Sequence, residues 1–133
     1  MRIQLWGVRG SLPSPINNEE YTGKIKRILD FAVQGGLKKK EDIDGFISSL
    51  PDELRYVFGG DTTCVTVSSD SGKIYILDCG TGLRRFGNVL MEGDCAKGQG
   101  VLNIMFTHNH WDHIQGLPFF RPIYVPGNVL NFY

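Results

Sequence analysis

The six residues His108-Asn109-His110-Trp111-Asp112-His113 contain all three histidines of the chain, with an aspartate set between the second and the third. Imidazole nitrogens and a carboxylate oxygen are the donors that suit zinc and its borderline neighbours, and they can converge on an ion if the backbone turns there. Residues two apart on an extended segment point the same way, so His108 and His110 are placed to grip one metal from one side. Once the chain bends into a helical turn, Asp112 and His113 become neighbours able to face a second. Two ions about 3.5–4 Å apart that share an activated water are the usual device for displacing an oxygen from phosphorus or from an acyl carbon.

The surrounding elements must supply that turn. Residues 101–106 are short, apolar and bounded by Gly100 before and polar Thr107 to His110 after, which predicts a buried strand with the ligands starting at its end. Residues 113–119 predict a short helix, so Asp112 and His113 fall near a helix N-terminus that would favour an anionic group. Upstream, residues 62–69 alternate in polarity, turn at Asp70-Ser71-Gly72 and continue through residues 73–79, a predicted hairpin. Thr81 reads as the N-cap of a helix striped by Leu83, Phe86, Val89 and Leu90. Residues 92–100, rich in glycine and charge, read as a loop, and residues 129–133 as a further strand.

Thr107-His108-Asn109-His110-Trp111-Asp112-His113-Ile114-Gln115-Gly116 resembles the HxHxDH signature of the metallo-β-lactamase-fold hydrolases, a superfamily of mostly dinuclear zinc enzymes. Three further segments agree with it in order. Trp6-Gly7-Val8-Arg9-Gly10-Ser11 resembles the first strand and loop of the branch related to cyclic-nucleotide phosphodiesterases and tRNA 3′-processing ribonucleases. Gly59-Gly60-Asp61-Thr62-Thr63-Cys64-Val65 resembles that branch's second-strand entry, and Ile76-Leu77-Asp78-Cys79-Gly80-Thr81-Gly82 its DxGxG loop. The resemblance covers residues 1–15 and 56–133. It implies an α+β fold, the αβ/βα four-layer sandwich of that superfamily.

The resemblance also implies roles. His108 and His110 would bind one metal, and Asp112 and His113 would help to bind the other, with Zn2+ at both sites and Mn2+ or Fe2+ as alternatives. Asp78 resembles the buried aspartate that orients ligand imidazoles from beneath, so Asp112 and Asp78 are the candidate catalytic carboxylates. Arg9 and Ser11 are candidate phosphate contacts or, on the bland reading, part of a plain turn built by Gly7 and Gly10. Asp61 departs from the asparagine that relatives commonly carry; near the metals, its charge would tighten cations and repel a phosphate.

Relatives complete the shell with a further histidine, a bridging aspartate and a final histidine after the motif. Past His113 this chain has no His, Asp, Glu or Cys. It therefore reads as the amino-terminal half of such a domain, residues 1–133 being a partial domain with a helical insertion at residues 17–54. Half a sandwich leaves the inner face of its sheet uncovered, which predicts association with the missing half, with a second copy of the chain, or aggregation.

The insertion shows two amphipathic patterns. Tyr21, Ile25, Ile28, Leu29, Ala32 and Val33 form one stripe, with Asn17 and Glu20 as a capping pair and Gly35-Gly36 as the stop. Ile43, Phe46, Ile47 and Leu50 repeat the pattern up to Pro51. Together they suggest a helical hairpin over the mouth of the site or against a partner. Lys24, Lys26, Arg27 and Lys38-Lys39-Lys40 offer either a phosphate-attracting rim or an ordinary solvated face.

Composition narrows the rest. Fourteen basic residues balance fourteen acidic ones, so there is no global pull toward nucleic acid, which stays possible without being favoured. Cys64, Cys79 and Cys95 lack the spacing of a zinc knuckle; buried reduced thiols in a cytoplasmic protein are the expectation, with neither a secretory leader nor a membrane span. The expected function is metal-dependent hydrolysis of a small phosphodiester or nucleotide-like substrate. Lactone, thioester or β-lactam hydrolysis is the alternative within the enzyme class. An inactive truncated domain that dimerises or binds its missing half is the alternative outside it.

Overall fold

In a computed structural model, residues 1–57 and 59–133 are described. They build a mixed α+β fold in two compact units, one of residues 1–14 and 59–133, the other of residues 15–58. In chain order the strands are β1 (Arg2–Gly7), β2 (Cys64–Ser68), β3 (Ile74–Leu77), β4 (Val101–Met105) and β5 (Val129–Phe132). The α-helices are α1 (Asn18–Gln34), α2 (Ile43–Ser49), α3 (Asp52–Arg55), α4 (Gly82–Leu90) and α5 (Trp111–Ile114).

The larger unit holds one five-stranded sheet in the order β1-β2-β3-β4-β5. β1, β2 and β3 pair antiparallel, as expected for a hairpin closed at Asp70-Ser71-Gly72, and β3, β4 and β5 run parallel. The two parallel joins need crossovers. α4 serves the first, and α5 with the 3-10 turns Leu117–Phe119 and Arg121–Tyr124 serves the second. α4 packs on one face of the sheet. Leu83 and Phe86 of α4 are buried with Cys64, Ile76, Cys79, Cys95, Leu102, Ile104 and Phe120, and Trp6 closes the cluster with its ring 5.0 Å from that of Phe86. Burying each large apolar side chain contributes about 1.5–3 kcal/mol, so this single layer is the main source of cohesion for the unit.

The other face of the sheet is open. β4 does not read as the wholly buried run expected of residues 101–106: Leu102 and Ile104 are buried, while Val101 and Met105 point to the open side and are exposed. Ile3, Leu5, Val129 and Tyr133 are exposed as well. Val89, counted in the α4 stripe, is instead half exposed. No helix among the described residues is long and apolar enough to cross a membrane.

The smaller unit follows its helical pattern closely. Asn17 caps α1 with a capping box: the Glu20 amide donates to its side chain at 2.9 Å, and the Asn17 amide donates to Glu20 Oε2 at 3.0 Å. Gly35 ends the helix and Gly36 takes the left-handed conformation, φ 66°. α2 stops before Pro51, as expected, and Pro51 is followed by a further short helix, α3. Leu50 and Leu54 are buried, whereas Tyr21, Leu29 and Val33 of the α1 stripe stay exposed. Two of the basic residues have partners inside the unit: Lys24 donates to the Tyr56 carbonyl, and Arg27 Nη2 lies 3.2 Å from Glu53 Oε1.

Candidate functional site

The site forms where β3 and β4 end side by side. Their parallel register sets Leu77 against Met105, and the Asp78 amide donates to the Met105 carbonyl at 2.9 Å. The next residue on β3's side is therefore Asp78 and the next but one on β4's side is Thr107. Asp78 adopts φ 61°, a left-handed conformation that no other non-glycine residue among those described adopts. That backbone costs about 1–2 kcal/mol for an L-residue, and aspartate is among the few that tolerate it. The reversal turns its carboxylate inward, where it is almost fully buried.

Thr107 meets that carboxylate with both of its donors. Its amide donates to Asp78 Oδ1 at 2.9 Å, and its hydroxyl lies 3.0 and 2.9 Å from the two carboxylate oxygens. The same hydroxyl is 3.0 Å from His108 Nδ1 and 3.4 Å from His113 Nδ1. His113 stands between carboxylates: Nδ1 is 2.9 Å from Asp78 Oδ2 and Nε2 is 3.2 Å from Asp112 Oδ2. Each of its ring nitrogens thus faces a carboxylate oxygen. The three imidazoles are neighbours, the His108 ring lying 4.5 Å from His110 and 4.0 Å from His113.

The turn that brings Asp112 and His113 together is α5, with His110 at its N-cap position. It spans four residues and starts at Trp111, earlier and shorter than the helix expected over residues 113–119; the chain beyond it forms the 3-10 turns Leu117–Phe119 and Arg121–Tyr124, because Pro118 and Pro122 cannot donate to a continuing α-helix. A single turn of helix carries little dipole, so anion attraction at its N-terminus is not part of the site.

The loop after Asp78 is clamped on both sides. The Cys79 amide donates to the His113 carbonyl at 2.7 Å, and the Gly116 amide donates to the Cys79 carbonyl at 2.8 Å. On the opposite flank the Gly80 amide donates to the Thr63 carbonyl at 2.8 Å. Thr62 and Thr81 exchange hydrogen bonds, each amide donating to the other's hydroxyl at 2.9 Å, and Gln115 Nε2 donates to the Thr62 hydroxyl at 3.2 Å. Thr81 thus occupies the N-cap position of α4 without capping it; its oxygen is taken by the second-strand entry. A Cβ on Gly116 would stand 2.0 Å from the Gly80 carbonyl oxygen, and one on Gly80 would stand 2.5 Å from that of Asp112. Glycine is the residue that permits this approach.

Beneath the site, Cys64 and Cys79 are buried and unbridged. Burial first, and the Asp78 carboxylate second, pushes the Cys79 thiol up to about 12; burial and the Cys79 and Asp78 groups push Cys64 up further. Both are protonated packing groups at neutral pH. Of the two other candidates, Arg9 donates from Nε to the Gly59 carbonyl at 3.3 Å and from its amide to the Asp61 carbonyl at 3.0 Å, and Ser11 is exposed. The Asp61 carboxylate faces Arg85 of α4 at 4.0 Å.

The donor set suits zinc. Ligands held about 2.0–2.2 Å from a tetrahedral ion stand about 3.3 Å from each other, close to the 3.2 Å between Asp112 Oδ2 and His113 Nε2. A buried carboxylate behind a ligand imidazole is the usual outer support. As the side chains stand, no group of three or more His, Cys, Asp or Glu residues among those described is arranged to hold an ion. The residues named from the sequence, His108, His110, Asp112, His113 and Asp78, do lie together here. Sequence reasoning missed Thr107, whose position directly before His108 was the available signal, and Thr62 with Gln115, whose pairing depends on long-range folding.

Compared with protein-family models, with curated proteins and with solved structures, the chain matches none.

Proposed function

We propose that this chain carries the ligand-bearing face of a metal-dependent hydrolase resembling the metallo-β-lactamase fold, with phosphodiesters as the favoured substrate class. The observation that carries the reading is the convergence of Thr107 and His113 on the buried Asp78 carboxylate, with His108 joined to it through the Thr107 hydroxyl and Asp112 at the far nitrogen of His113. A chain of carboxylate, hydroxyl and imidazole groups of this kind serves to orient metal ligands.

His108, His110, Asp112 and His113 would hold Zn2+, or Mn2+ or Fe2+, and a bound ion would supply Lewis acidity and activate water. The chain's own contribution is positioning. Asp78 and Thr107 hold the two imidazoles by their Nδ1 sides, and the Cys79 and Gly116 backbone bonds tie α5 to the β3 end. Preference for phosphodiesters over acyl substrates rests on the likeness of the motifs at residues 6–11, 59–65 and 76–82 to one branch of that superfamily.

The exposed apolar face of the sheet favours a second reading, in which the isolated chain is inactive and the site is completed by another segment or a second copy. On that reading the five-stranded sheet is one half of a two-sheet sandwich, its open face meeting the other half. The buried, unbridged cysteines support a reducing compartment such as the cytoplasm.

The test is metal content by mass spectrometry after loading with zinc and manganese and dialysis without chelator, followed by assay on bis-p-nitrophenyl phosphate, a lactone and nitrocefin. Retained metal with turnover of the phosphodiester alone supports the first reading. Retained metal with turnover of the lactone or nitrocefin replaces it with acyl hydrolysis. A folded protein that holds no metal and turns over nothing supports the second.

A further inference from the structure

The Thr107 hydroxyl has one proton and two lone pairs. An ionised carboxylate only accepts, so the proton goes to Asp78, whose oxygens lie 3.0 and 2.9 Å away. What the hydroxyl turns toward His108 Nδ1 at 3.0 Å is then a lone pair. That contact is a hydrogen bond only if Nδ1 carries the ring proton. Free neutral imidazole places its proton on either nitrogen, and which one is set by the partner of the other. Among the described residues the His108 ring makes no other side-chain hydrogen bond to the protein.

The geometry points to Thr107 as the positioning residue that fixes both the tautomer and the ring orientation of His108: Nδ1–H donates to Oγ1, and Nε2 keeps its lone pair on the outward side. The Asp78 carboxylate acts on His108 through the threonine hydroxyl, whereas it faces His113 Nδ1 without an intermediary at 2.9 Å. One buried carboxylate thus governs two imidazoles, one of them by relay. The Thr107 amide also donates to Oδ1 at 2.9 Å, so Asp78 keeps a partner at that oxygen when the hydroxyl is removed. The distinctive task of the hydroxyl is the His108 contact. The value of a free Nε2 as a metal donor rests on the hydrolase reading; the tautomer does not.

The experiment is a long-range proton–nitrogen correlation spectrum of the metal-free, nitrogen-15-labelled chain, recorded across a pH series so that the neutral-ring tautomer is read directly. Wild type is compared with Thr107→Val, which keeps the shape and loses the hydroxyl, and Thr107→Ser, which keeps the hydroxyl. His108 is expected as the Nδ1–H form in wild type and T107S. In T107V it should shift toward the Nε2–H form that free histidine favours. Cobalt titration of the same samples should show T107V weakened by about 10–100-fold, the usual effect of removing an outer partner of a ligand, with T107S close to wild type. An Nε2–H tautomer at His108 in wild type overturns the proposal, and so does an unchanged Nδ1–H form in a folded T107V. Should T107V fail to fold, the wild-type and T107S spectra alone decide. A wild type with the expected tautomer that binds no cobalt would sink the metal reading and leave the role of Thr107 standing.

Discussion

Asp78 Oδ2 lies 2.9 Å from His113 Nδ1, joining the end of β3 to the single turn of α5. The aspartate is buried, and its carboxylate also takes the Thr107 amide and hydroxyl. Replacing Asp78 by Asn keeps the shape and a side chain that tolerates positive φ. D78N should therefore fold, with affinity for zinc lowered by about 10–100-fold. D78A, which leaves the Thr107 donors and His113 facing an apolar methyl, should also lose about 1–3 kcal/mol of stability. Zinc titration beside urea unfolding separates the two effects; a D78N protein with wild-type affinity would remove Asp78 from the site.

The clamp between Gly80 and Gly116 predicts steric intolerance. Gly116 has ordinary right-handed helical angles, φ −78° and ψ −18°, so alanine there meets no backbone strain, only the Gly80 carbonyl 2.0 Å from its Cβ. G116A should cost about 1–3 kcal/mol or displace α5. Gly23, inside α1 with nothing near its Cβ, is the opposite case: G23A should stabilise its helix by about 1 kcal/mol. Chemical denaturation of both variants reads the contrast, and a neutral G116A would mean that the loops stand farther apart than described.

The cysteines predict a pH dependence in the alkaline range. Folding raises the Cys79 thiol from 9.0 to about 12 and raises Cys64 and Cys95 as well. Because the folded values lie above the unfolded one, the unfolded state releases protons first as pH rises. The stabilisation is whole below pH 9 and declines from there, by about 1.4 kcal/mol per pH unit for each thiol still protonated in the folded state. Urea midpoints between pH 8 and 11 should fall, and triple Cys→Ala substitution should flatten that fall. Native protein at neutral pH should react slowly with a thiol reagent, and urea should release all three sulfhydryls.

Leu5 and Val129, 63% and 49% exposed on the open face of the sheet, should tolerate charge. L5K and V129K are expected to change the unfolding free energy by no more than about 0.5 kcal/mol. They should also reduce self-association in sedimentation runs. A loss of several kcal/mol would mean that this face is covered in solution.

Local signals were legible wherever the determinants sit close together in sequence. α1 begins after Asn17 and ends at Gly35 because a side chain three residues along and a helix-breaking pair specify those ends. The imidazole cluster was legible for the same reason, since its donors fall within one strand end and one turn. Thr81 was misread as a cap because its hydroxyl is claimed by Thr62, nineteen positions away, and nothing in the local pattern announces that contact. The contact of Thr107 with Asp78 spans twenty-nine positions and is likewise created by strand pairing. Residues 101–106 are apolar except for Asn103, yet only Leu102 and Ile104 are buried; sequence composition cannot say which face of a sheet is covered.

The pairing of Leu77 with Met105 has a consequence for how errors would propagate. A slip of one residue between β3 and β4 would carry Thr107 away from Asp78, and it would also swing Leu102 and Ile104 out of the core. Misalignment of the strand ends that carry Asp78 and Thr107 is therefore penalised by oil and water as well as by lost polar contacts. The chain needs no separate device to keep its imidazoles in step with their carboxylate, because the alternation of greasy residues along β4 acts as the gauge.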